Sequence, residues 1–215
     1  MIRDLKLGIR MMRYCYRIKM ALVSAGVFFC LGFLFLPMPF QDMAAYAASV
    51  YWMLVGLLVT GTLVSLNITA MVQSSPKKKA LQTSVPAILN ACFYLMSYIM
   101  FLLTEIVIWK LRGVEPLPGA LIVYGLISLI YMVYCSYFKL FSVAVIFLLF
   151  TFLPISWGVR RMILHAAENM PLAAAAAIGL AEILLGAYLQ YLFLLLTYRL
   201  PVSKMAIHKE LKKQM

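Results

Sequence analysis

Long apolar runs separated by short polar breaks fill almost the whole chain, and the runs have membrane length. They cover residues 20–36, 49–72, 86–109, 120–137, 140–157 and 172–198. Each reaches or approaches the roughly 20 residues that carry a helix through about 30 Å of hydrocarbon. The breaks hold the residues that end apolar helices: Pro37, Pro39 and Asp42, the lysine loop 73–86, the Pro- and Gly-containing loop 110–119, Lys139, and the stretch 158–171. This pattern predicts an all-α, six-span membrane domain over residues 20–198, a leader over 1–19 and a basic tail over 199–215.

Within the leader, Ile2, Leu5, Ile9, Met12 and Tyr16 recur at helical spacing, and Arg3, Lys6, Arg10, Arg13 and Arg17 follow one residue behind. An amphipathic helix of this kind lies in the inner interface, held by anionic lipid. Ala45-Tyr46-Ala47 resembles a signal-peptide cleavage site. The apolar run before it is longer than an ordinary signal core, so it is read as a retained span. In the loop 73–86, Pro76 can open a short helix from Lys77 to Ser84, and Pro86 can open the third span, because a missing N–H costs nothing in a first turn. Residues 158–171 are too polar to span and too apolar for a free loop, which predicts an outer interfacial or re-entrant helix carrying Arg160 and Arg161.

Composition agrees with the pattern: 65% hydrophobic residues, 12% charged and a mean hydropathy of +0.97 exclude a soluble domain. The net charge of +12 does not form a basic, aromatic-interleaved face, so nucleic acid is not an expected partner. The cations instead report topology. Six lie in the leader, three in the lysine loop, one at Lys139 and five in the tail, against four in the loops at 110–119 and 158–171. The positive-inside rule then puts both termini in the cytoplasm of a multi-pass cell-membrane protein. Cys15, Cys30, Cys92 and Cys135 are scattered, and His165 and His208 lie far apart, so neither disulfides nor a metal site are expected.

Candidate chemistry concentrates in the last span. Glu182 shares a helical face with Ala175, Gly179, Gly186 and Gln190, combining small residues for close backbone approach with two polar groups. Two readings stand for it: a carboxylate on a pathway or subunit interface, or a protonated Glu hydrogen-bonded to a neighbouring helix. Polar stripes also run along the third span (Asn90, Tyr94, Ser97, Thr104) and the fourth (Tyr124, Ser128, Tyr131, Cys135). Glu105 falls near the outer end of its span. No His-Glu-x-x-His, Gly-x-Ser-x-Gly or Walker sequence occurs, so no catalytic residue and no cofactor is expected in this chain.

The order of parts resembles the small six-helix permease subunits of type-2 ABC exporters: a basic amphipathic leader, two spans, a short proline-flanked cytoplasmic helix, three spans, an outer amphipathic segment and a last span. The resemblance is one of layout over the whole chain. It implies an exporter that works as a dimer with itself or a sister chain, with ATP and Mg bound by a separate ATPase subunit. It further implies that the lysine loop docks that subunit, with Pro76, Lys77, Lys78, Lys79, Leu81 and Gln82 as the contact residues. Aromatic and Met-rich spans would suit an amphipathic peptide or lipid-like substrate, although any helical membrane core uses the same residues. An ion-coupled carrier and a non-transporting scaffold are the alternatives.

Overall fold

The computed structural model describes residues 6–7, 9–10, 18–35, 51, 54–55, 75–113, 115–136 and 158–200. Among them the chain forms, in order, α1 (Ile18–Phe35), α2 (Lys78–Gln82), α3 (Ser84–Arg112), α4 (Pro118–Ser136), α5 (Arg160–Ala166) and α6 (Leu172–Thr197). Lys6, Leu7, Ile9 and Arg10 of the leader are helical, as are Tyr51, Leu54 and Val55 of the expected second span. The rest of the leader before Ile18, the rest of that span, the fifth span at 140–157 and the tail beyond Leu200 lie outside the described residues.

Among the described residues three helices are long and apolar enough to cross a membrane: the run Lys78–Leu111, α4 and α6. The apolar helix Lys19–Leu34 is shorter. At 1.5 Å per residue the 29 residues of α3 extend about 43 Å, more than the hydrocarbon requires, which leaves room for its Lys110–Arg112 end to lie beyond it. The far end closes at Gly113, whose φ of +65° lets its N–H reach back to the Trp109 carbonyl at 2.9 Å. That left-handed position is one a glycine takes without steric cost.

At the centre stands α4, with 15 of its 19 residues buried. It opens at Pro118, whose fixed φ and absent N–H suit a first helical position. Tyr94, Tyr98 and Phe101 of α3 pack on it from one side, Ala175 and Ile183 of α6 from another, and Phe29 and Phe33 of α1 touch the same core. Opposite faces of the outer helices are bare. Cys92, Met96, Ile99, Leu103 and Val107 form a continuous exposed stripe on α3 at spacings of three and four, the arrangement of a lipid-facing side.

The direction of the helices follows from their contacts. Gly125 of α4 meets Gly179 of α6, Leu129 meets Gly186, and the Ser136 hydroxyl donates to the Gln190 carbonyl at 3.4 Å. Contacts that advance together on both helices make α4 and α6 parallel, whereas α3, joined to α4 through residues 113–117, runs the other way. Helix α5 packs by Leu164 against Gly119 at the start of α4, so Ser136 and α5 sit at opposite ends of the bundle.

The lysine segment differs in detail from its expected form. The short helix is Lys78–Gln82 rather than Lys77 to Ser84, because Thr83 leaves helical geometry at ψ −75° and Ser84 already opens α3. Pro86 therefore stands third in α3. The break is a single residue, and it is bridged: the Thr83 N–H and hydroxyl both donate to the Lys79 carbonyl, at 3.0 and 2.7 Å.

Candidate functional site

The polar side chains of the spans converge on the seam where α3, α4 and α6 meet. On α6 the buried positions are Ala175, Gly179, Ile183, Gly186, Gln190, Leu194 and Thr197, separated by three or four residues throughout. This is the seam pattern of tightly paired membrane helices. Expected face residues Ala175, Gly179, Gly186 and Gln190 therefore do come together. A methyl group at Gly125 would lie 2.7 Å from the Gly179 Cα, closer than packed carbon atoms come, so the backbones touch.

Around this contact the polar groups pair across helices. Asn90 Nδ2 donates to Gln190 Oε1 at 3.3 Å, Tyr124 donates to Ser97 Oγ at 2.8 Å, and Tyr98 donates to the Ala176 carbonyl at 3.0 Å. Ser97 and Ser128 return their own hydroxyls to the carbonyls four residues earlier, Phe93 and Tyr124. Such bonds contribute about 0.6 kcal/mol each on average in a membrane bundle, and they fix which faces meet. Thr104, the outermost residue of the expected stripe, bonds only to Met100 of its own helix.

Glu182 flanks the seam instead of filling it, since Ile183 takes the buried position. The residue is half-buried, and its Oε2, itself buried, is turned against Gly125, where even a methyl group would overlap it. Oε2 has no hydrogen-bond partner among the described residues, and the same holds for the Tyr94 hydroxyl and Gln190 Nε2. The seam thus carries polar capacity beyond what its own bonds use. Sequence periodicity singled out all three residues. It gave no sign that Tyr98 reaches the α6 backbone, because that contact depends on the glycine at 179 leaving room for the ring.

No family model matches the chain, and neither a curated protein nor a solved structure resembles it closely enough to count as a relative.

The remaining candidate residues occupy the two ends of the bundle. At one, Pro76, Lys77 and Lys79 are exposed and Lys78 is half-buried. Leu81 and Gln82, expected to meet a partner, are instead buried at 4% and 1% exposure, which leaves the proline and the lysines as the accessible part of α2. At the other end a short helix, α5, does form over part of 158–171, with Arg161 exposed and Arg160 half-buried. Ile163 and Leu164 turn inward, Ala167 is buried, and His165 and Glu168 pair at 3.2 Å on the open side. Glu105 is half-buried and accepts a hydrogen bond from the Leu117 backbone, tying the end of α3 to the loop before α4.

Proposed function

We propose that the chain is the transmembrane permease subunit of an ABC exporter, embedded in the cell membrane and assembled with a second permease copy and a separate ATP-binding subunit. The observation that carries this reading is the joint between α2 and α3. A short helix is fixed to the bundle by buried Leu81 and Gln82, joined through one bridged residue to a long span, and left open at Pro76, Lys77 and Lys79. A force applied to that open surface reaches α3 with little slack, and α3 is hydrogen-bonded to both α4 and α6. This is what a subunit without its own ATPase site needs: a rigid lever on which a partner can act.

The six-span layout is supported by the parallel direction of α4 and α6. Two parallel helices in one chain require an odd number of crossings between them, so a fifth span at 140–157 agrees with the spacing of Ser136 from α5. Glu182, turned to the α4–α6 seam and not fully buried, is suited to a wall that a substrate passes.

The test uses the full-length chain purified with its ATPase and reconstituted in vesicles. Lys77→Glu with Lys79→Glu is expected to insert normally and to lose most of the Mg·ATP hydrolysis that substrate stimulates. Failure of any ATPase to copurify from native membranes, or full stimulation in the double variant, would falsify the reading.

A further inference from the structure

Between α3 and α6, in the half of the bundle that bears the lysines, an open groove of about 370 Å³ runs along the surface. Its floor is made of small residues, Ala87 and Ala91 from α3 and Ala187 from α6. Ile88, Tyr188 and Tyr191 form the sides, and Ser84 closes the end. None of the described side chains fills it. Water would find few partners there because the lining is almost wholly apolar, and at this depth the surrounding solvent is hydrocarbon.

The mouth of the groove has a different chemistry. The Ser84 hydroxyl donates to the Ala80 carbonyl at 3.2 Å, which holds α2 against the end of the groove. Lys78 lies three and four residues before buried Leu81 and Gln82, so it shares their inward face, and it is itself half-buried. A half-buried lysine can lay its stem along the protein and extend its ammonium to headgroup level. Arg199 follows the last turn of α6 at the same end of the bundle and is exposed. Neither cation has a carboxylate partner among the described residues. Tyr191, six residues before Thr197 and so about 9 Å deeper, lies level with the Asn90–Gln190 pair and lines the trough beside the alanines.

We infer that this groove binds one anionic phospholipid, with an acyl chain over the three alanines and the phosphate held by Lys78 and Arg199. Apolar trough and then two cations follow one another in the order in which a phospholipid presents tail and phosphate. A second copy of the chain is the poorer occupant, since a symmetric contact here would bring Lys78 and Arg199 against their own duplicates with no acidic residue among the described residues of that end. The site does not depend on what the bundle transports.

Native mass spectrometry of the full-length chain, released from nanodiscs of equal parts phosphatidylglycerol and phosphatidylcholine, tests the inference. The wild-type chain is expected to retain one phosphatidylglycerol in preference to phosphatidylcholine. Lys78→Gln with Arg199→Gln should keep a bound lipid but reduce that preference by about an order of magnitude or more. Ala187→Trp should fill the groove and abolish retention, whereas Ala173→Trp, on an exposed part of α6 remote from the groove, should not. If Ala187→Trp fails to assemble, Ala87→Leu serves the same purpose. Three results would overturn the site: no headgroup preference in the wild type, unchanged retention after filling the groove, or efficient disulfide cross-linking of Tyr188→Cys to a second copy.

Discussion

At the scale of single residues the bundle is governed by where side chains are missing. Gly125 and Gly179 let α4 and α6 touch, and Gly125 also leaves the space that the Glu182 carboxylate occupies. Gly125→Ala is therefore expected to push the helices apart and cost about 1–3 kcal/mol, read as lowered resistance to denaturant in detergent. Gly158→Ala, where a methyl group meets nothing within 4 Å, is the matched control and should change little. For Glu182 the informative change is Glu182→Gln, which keeps shape and hydrogen bonding but removes the ionisable proton. The variant is expected to insert and assemble at wild-type levels and to lose most export in vesicles; full export would return Glu182 to a packing role.

Elements were legible from the sequence to the extent that polarity encoded them. The stripes Asn90–Tyr94–Ser97–Thr104 and Tyr124–Ser128–Tyr131–Cys135 stand out because polar side chains in an apolar run must face protein, and all of these residues are buried except Thr104, which is half-buried. The inward face of α6 was readable for another reason. Its hydropathy scarcely varies around the helix, so the signal lay in side-chain size, with Ala175, Gly179 and Gly186 in register. Ile183, at the centre of that face, could not be distinguished from the exposed Leu184 and Leu185 by any local property. The same limit explains α2. Leu81 and Gln82 looked like a contact surface beside three lysines, yet a five-residue helix tethered at Thr83 turns one side inward, and only tertiary packing decides which.

For the whole molecule, the ends of the bundle carry unlike chemistry. Pro76, Lys77 and Lys79 occupy one, while α5 and the loop from Gly113 to Leu117 occupy the other. With the cation-rich end in the cytoplasm, a single cysteine at Ser75 should resist a membrane-impermeant thiol reagent in intact cells and one at Gly113 should react. The reverse pattern would invert the orientation. Cys30 and Cys92 are exposed on the bundle surface and Cys135 is buried, so the labelling is best done with the native cysteines replaced.

The parallel pairing of α4 and α6 also sets an order of events while the chain is being made. Once α4 leaves the ribosome it can join α3 through Tyr124 and Ser97, which are 27 positions apart. Its other side must wait, because 54 positions separate Ser136 from Gln190, about 3–11 s of synthesis at 5–20 residues per second. Throughout that interval the most buried of the described helices shows the side bearing Leu121, Gly125, Leu129 and Ser136 to lipid or to whatever chaperone attends insertion. A weakened seam would accordingly act first on how much newly made chain escapes quality control, before it alters the lifetime of molecules already assembled.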